Sequence, residues 1–286
     1  MMRTLSQLAA VCGGQLMGTD RPFGEVVIDT RKLAAGDVFA ALRGERVDGH
    51  DYVSEAARRG AAGALVEREQ TVPLAQIRVA SVERALAAAG RAARAAFSGP
   101  VVGVAGSNGK TTVKEMITAI LSQRAPCLAT RGNLNNQLGV PLTLLRLTQA
   151  HWSAVIEVGA NRAGDVAELV QWARPTIGLI TNAGAEHLEG FGSLEGVARA
   201  EGEMVAALPP EATAVLNAEF TPCNMPNRRK ATTIDSKVRI VRSFLRQRPA
   251  QMSGKYFMPP SPRRRPTGLC RRATGGWRNP PLSDRE

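Results

Sequence analysis

Over the first 220 residues, short apolar runs alternate with stretches of helical spacing, and this alternation predicts the architecture before any chemistry is considered. Thr4 can cap a short helix with Gln7 as its capping-box partner, and Gly13-Gly14 ends it. Val26-Val27-Ile28 and Val38 to Leu42 read as strands on either side of the turn signal Ala35-Gly36-Asp37. A helix is expected over Asp51 to Arg59, then strands at Ala64-Leu65-Val66 and Ile77-Arg78-Val79. Ser81 caps an Ala-rich helix from Val82 to Phe97, and Ser98-Gly99-Pro100 marks a boundary. Beyond it, strands are expected at 101–105, 127–129, 154–158, 177–181 and 214–216. The helices between them cover 110–123, a segment starting at Pro141, 164–173 and 193–207.

Strand–helix alternation of this kind implies an α/β fold with a mostly parallel sheet and helices on both faces. The expected organisation is a small N-terminal α/β domain over 1–84, a connecting helix over 85–98 and a central P-loop-type ATPase domain over 99–220. A tail follows over 221–286.

Charge separates that tail from the rest. The formal net charge of +12 suggests a nucleic-acid or membrane partner, but 16 basic and three acidic residues lie after residue 220. The preceding 220 residues hold 21 basic and 22 acidic groups, so the patterned part is near neutral. The tail is dense in Pro and Arg, shows a hydrophobic pattern only over Val238 to Leu245, and is expected to be non-globular. It reads as a basic arm for nucleic acid or anionic lipid, as an extension without a role, or as the product of a lost reading frame near Glu219. Aromatics make up only 4% of the chain, which argues against base-stacking platforms. The four cysteines are scattered, no apolar run approaches the ~20 residues of a membrane span, and no signal-peptide core opens the chain, so a cytoplasmic location is expected.

The strongest chemical signal is Gly103-Val-Ala-Gly-Ser-Asn-Gly-Lys-Thr-Thr112, a glycine-rich turn between a buried strand and a helix. Such a junction aims backbone N–H groups and a helix N-terminus at one point, which suits a polyphosphate. Gly106, Ser107, Asn108, Gly109 and Thr112 would form the cradle, Lys110 would reach the β/γ-phosphates, and Thr111 would offer its hydroxyl to Mg²⁺. A strict G-x-x-x-x-G-K-[ST] pattern would place glycine where Val104 stands, so this is a variant loop.

Other polar residues fall at neighbouring strand ends, where ligands of open α/β sheets bind. Glu157 ends an apolar run; alone it reads as a salt-bridged residue, but one strand from Thr111 it suits a hard cation. His187 reads equally as a metal or phosphate ligand and as a structural histidine. Asn133, Asn135 and Asn136 beside Arg131 suit either a capping turn or recognition of an anionic substrate. Arg31, in Asp29-Thr30-Arg31, and Arg46, in the loop 44–50, read as diphosphate clamps or as ordinary surface arginines.

Gly106-Ser-Asn-Gly-Lys-Thr-Thr112 resembles the ATP loop of the Mur ligases, whose usual form is G-T-N-G-K-[ST]. Asp29-Thr-Arg31, Gly44-Glu-Arg-Val-Asp-Gly-His50, Gly132-Asn-Leu-Asn-Asn136 and Glu186-His-Leu-Glu-Gly-Phe-Gly-Ser-Leu194 resemble the branch of that family that adds D-alanyl-D-alanine. The resemblance runs over roughly residues 1 to 219. It implies a cytoplasmic, monomeric ligase that uses ATP and Mg²⁺ to join D-alanyl-D-alanine to a UDP-N-acetylmuramoyl-tripeptide in peptidoglycan synthesis, with no membrane or nucleic-acid partner. Thr30, Arg31, Arg46, Asp48 and His50 would hold the UDP end, with Asn133, Asn135 and Asn136 also contacting substrate. Lys110, Glu157 and His187 would be the catalytic set, and Thr111, Glu157 and His187 the metal ligands. Glu201 stands where many members carry a carbamylated lysine and would itself supply a carboxylate to the metal. Members continue into a third domain, which nothing after Phe220 resembles, so this chain is expected to be weak or inactive by itself. A different Mur-type ligase and a basic nucleic-acid-binding protein acting through 221–286 are the competing readings.

Overall fold

The computed structural model describes residues 4–184, 191, 193–217 and 238–241. Two sheets carry the architecture, both within the unit Met1–Phe244.

The first sheet is built on short runs of mostly small and branched apolar residues, with Phe39 and Gln76 also buried. Its strands are β1 (Gln15–Met17), β2 (Val26–Val27), β3 (Val38–Ala40), β4 (Gly63–Val66) and β5 (Gln76–Arg78), in the order β1-β5-β4-β3-β2. β2 to β5 pair in parallel and β1 joins antiparallel to β5. Helix α1 (Leu5–Cys12) begins at Thr4, whose side chain accepts from Gln7 N, and ends at Gly13 in the left-handed region, as expected from its sequence. The segment read as one helix over 51–59 divides. A 3-10 turn covers Gly49–Tyr52 before α2 (Val53–Arg58), because the Asp48 side chain accepts from His50 N and tightens the entry. Strand β1 was not anticipated; three residues with one apolar centre carry too little pattern to see.

Helix α3 (Val82–Ala95) does more than connect. Its Val82, Ala85, Leu86 and Ala89 are buried in one core with Leu5, Leu8, Val38, Leu65 and Ile77 of the first domain. Leu142 of α5 (Gly139–Leu145), from the second domain, lies in that same core. A Cβ at Gly90 would come 2.7 Å from Pro141 Cα, so the missing side chain is what lets α3 and α5 approach.

The second sheet is fully parallel, in the order β11-β10-β9-β6-β8-β7. Its strands are β6 (Val101–Ala105), β7 (Cys127–Ala129), β8 (Ser153–Glu157), β9 (Ile177–Ile180), β10 (Thr213–Asn217) and β11 (Val238–Val241). β6 and β8 are buried along their whole length, as strands covered on both faces must be. Helices α4 (Lys110–Ser122), α5, α6 (Asp165–Ala173) and α7 (Leu194–Ala206) provide the crossovers from β6 through β10. β11 lies in the segment expected to be non-globular, at its one hydrophobic stretch; the rest of 221–286 lies outside the described residues.

Candidate phosphate and cation site

β6 is the central strand of the parallel sheet, and the chain leaves it directly into the glycine-rich turn. Gly106 takes φ 121° and Gly109 φ 80°, two left-handed positions that let the backbone fold back before α4 starts at Lys110. A side chain at Gly106 would place its Cβ 2.2 Å from Thr181 Oγ1, so only glycine fits there.

The turn is fixed by the next strand. Asn108 N–H donates to Asn182 Oδ1 at 2.9 Å, while Asn182 Nδ2 and Thr181 Oγ1 donate to the Asn108 carbonyl at 3.0 and 2.8 Å. Ser107 N–H donates to the Asn182 carbonyl at 3.0 Å, and the Ser107 hydroxyl accepts from Gly184 N–H at 2.9 Å. Lys110 Nζ donates to the carbonyl oxygens of Gly106 and Ser107, at 2.6 and 2.8 Å, and so lies over the turn. Thr112 is exposed at the start of α4.

Beside the turn, Glu157 at the end of β8 is 2% exposed and fully engaged. Its Oε2 accepts the Thr111 hydroxyl at 3.0 Å, and its Oε1 accepts Asn135 Nδ2 at 3.0 Å. The Lys114 ammonium lies 3.7 Å from Oε2. Thr111 hydroxyl and Glu157 carboxylate are hard oxygen donors at one point, a set that fits Mg²⁺ completed by phosphate and water. Among the described residues, no three His, Cys, Asp or Glu gather into a metal cage.

Glu201, on α7, is buried, and its Oε2 accepts Gly106 N–H at 2.7 Å. This oxygen meets the backbone of the turn at one end of the cradle. His187 lies outside the described residues.

The asparagine loop divides by role. Asn136 Oδ1 accepts from Leu138 N–H and Gly139 N–H at 3.2 and 2.9 Å, the capping turn that starts α5 two residues before the expected Pro141. Asn133 is exposed, and Asn135 reaches the Glu157 carboxylate. Arg131 bridges to Glu25 of the first domain at 2.9 Å.

Among the first-domain candidates, Arg31, Asp48 and His50 bond to neighbours in their own domain. Thr30 is buried, and Arg31 is exposed but doubly bonded to Asp29. Arg46 is exposed. His50 is 2% exposed; its Nδ1 bonds Asp48 Oδ1 at 2.7 Å and its Nε2 accepts Glu67 N–H at 2.9 Å, which fixes the proton on Nδ1. The His50 backbone N–H and ring, followed by Arg68, hold the Asp48 carboxyl well below the usual range.

Lys114 and Thr130 escaped the sequence reading. Lys114 stands three positions after Thr111, on the same helical face, and that spacing was the available signal.

The profile of the Mur ligase middle domain matches residues 104–246, and that of the Mur ligase family catalytic domain matches 23–123. The chain belongs to the Mur ligase family. Among its relatives, the UDP-N-acetylmuramoyl-tripeptide–D-alanyl-D-alanine ligase of Escherichia coli K12 is 47% identical over 216 residues, covering 76% of this chain and 48% of the relative. The ligase of that name from Haemophilus influenzae is 40% identical over 219 residues, covering 74% and 48%. The crystal structure of MurF from Acinetobacter baumannii superposes with a TM-score of 0.72 at 36% identity, covering 82% of this chain and 52% of that one. MurF ligase from Thermotoga maritima, solved in complex with ADP, gives 0.63 at 33% identity, covering 76% and 49%. The chain spans about half the length of the curated relatives it matches. As a member of the Mur ligase family, it has the mostly parallel α/β architecture its residue pattern predicts.

Proposed function

We propose that the turn 106–109 and the first turn of α4 bind Mg²⁺-ATP, and that the chain carries the nucleotide-binding and UDP-sugar-peptide-binding parts of a ligase joining D-alanyl-D-alanine to a UDP-N-acetylmuramoyl-tripeptide. The observation that carries this reading is the meeting of Thr111 hydroxyl and Glu157 carboxylate at 3.0 Å beside a turn with two left-handed glycines. The names of its relatives and the ADP-bound Thermotoga maritima structure support it. Other Mur-type ligases are less favoured, because relatives at 40–47% identity carry the D-alanyl-D-alanine name.

In the proposed reaction, the γ-phosphoryl group passes to the terminal carboxylate of the peptide. The amine of D-alanyl-D-alanine then attacks the acyl phosphate, expelling phosphate and forming the amide. No side-chain nucleophile is required, so the residues act by placement and charge. Lys110 supplies positive charge at the phosphates, and the turn's amides and the helix N-terminus supply dipoles. Thr111 and Glu157 would hold Mg²⁺, which neutralises phosphate charge during transfer. Thr30, Arg31 and the loop 44–50 would face the UDP end, within a cytoplasmic reaction. Calorimetric titration of the full chain with Mg²⁺-ATP is the test. Saturable, magnesium-dependent uptake that weakens about 100-fold in Lys110→Ala is expected; equal uptake by the variant refutes the assignment.

A further inference from the structure

Lys114 has no exposed side-chain surface, although it sits one turn along α4 from Lys110. An ammonium withdrawn from water is unfavourable unless polar groups meet it. Its Nζ donates to the Thr130 carbonyl oxygen at 2.9 Å, lies 3.0 Å from Glu115 Oε1 and stands 3.7 Å from Glu157 Oε2. Thr130 also accepts the Glu157 backbone N–H on its hydroxyl at 3.0 Å, so lysine, threonine and glutamate close a triangle. The Glu157 oxygen facing the ammonium is the one that accepts the Thr111 hydroxyl. A positive charge therefore already occupies the neighbourhood of the oxygen best placed to hold a cation. Methionine in its place would match the volume but leave the Glu157 carboxylate without this counter-charge and the Thr130 carbonyl without this donor.

We infer that Lys114 is a resident counter-ion of Glu157 that makes capture of a divalent cation conditional on nucleotide. A bare dication approaching Glu157 Oε2 meets the ammonium at short range, where the reduced dielectric of the protein strengthens repulsion between like charges. A cation arriving on a polyphosphate brings the negative charge that offsets this repulsion. No group of three or more acidic, His or Cys residues among the described residues would recruit a bare cation by itself. Lys114 acts through Glu157 and is a positioning residue.

The inference rests on the nucleotide reading above, and one experiment separates the two. Mn²⁺ binding to the full chain is followed by loss of the free-ion electron paramagnetic resonance signal, with and without ADP. Wild type is expected to bind Mn²⁺ tightly only with ADP present. Lys114→Met is expected to raise nucleotide-free Mn²⁺ affinity about tenfold, a gain that Glu157→Gln in the same chain removes. Lys114→Gln, which keeps a donor for the Thr130 carbonyl, serves the same purpose if the methionine variant does not fold. Nucleotide-free wild type binding Mn²⁺ as tightly as its ADP complex overturns the inference without any variant. So does a folded Lys114 variant that gains no affinity while ADP still binds. Failure of ADP to bind at any Mn²⁺ concentration removes the nucleotide reading and this inference with it.

Discussion

The loop 44–50 of the first domain and the turn 106–109 of the second are both short, polar and glycine-containing, yet their side chains end in opposite arrangements. In the first, Asp48 and His50 close on each other, on Glu67 N–H and on Arg68, all from the same small domain. In the second, the end of β9 and α7 bond the turn itself, while α4 and the loop before α5 meet the end of β8 at Glu157 beside it. A polar loop whose residues satisfy one another is shaped by its own bonds before any ligand arrives. Polar groups brought from five elements to two adjacent strand ends form a site, because nothing in local folding needs them together.

That contrast is sharpest at the glycine on which the turn pivots. Gly106→Ala combines φ 121° with a Cβ 2.2 Å from Thr181 Oγ1, and about 2–4 kcal/mol of destabilisation is expected together with loss of nucleotide binding. Urea unfolding and calorimetry check both; an alanine variant of normal stability and affinity would dissolve the distinction. His50→Ala should behave differently. It leaves the Glu67 N–H without its acceptor while Asp48 keeps the residue-50 N–H and Arg68, costing about 1–3 kcal/mol in urea unfolding, and nucleotide affinity stays unchanged.

Weaker effects are expected where the bonds face water. Arg131→Ala breaks a bridge to Glu25 in which both side chains are substantially exposed, and a loss below ~1 kcal/mol is expected in the same assay. Asp48 gives a direction with pH. Its carboxyl is held below the ordinary range when folded, so its contribution is complete above the unfolded carboxylate value of about 3.9 and fades as pH falls through the folded one. The gap in unfolding midpoint between wild type and Asp48→Asn should therefore be constant near neutrality and close in acid. A gap independent of pH would show that the His50 and Arg68 contacts do not hold its charge.

The parallel sheet and its turn were legible because β6 and α4 each carry a long, unambiguous pattern, and the switch between periods falls at the glycines. Thr111 and Glu157 were legible together through their places at neighbouring strand ends, and the structure joins them by a hydrogen bond. What stayed hidden depended on distance across the fold. Glu201 meets Gly106 over 95 positions of sequence, and the asparagine loop, read as a capping turn or a substrate contact, did not show that Asn136 takes the capping role while Asn135 reaches Glu157. Lys114 was hidden for a different reason: a lysine on a helix is ordinarily taken as solvated, and only packing shows this one enclosed.

At Gly90 the backbone of α3 lies against Pro141 of α5, with no room for even a methyl group between them. Leu142 of α5 sits in the core that α3 shares with the first sheet, so this close seat is continuous with that packing, and a larger residue at 90 would have to push the two helices apart.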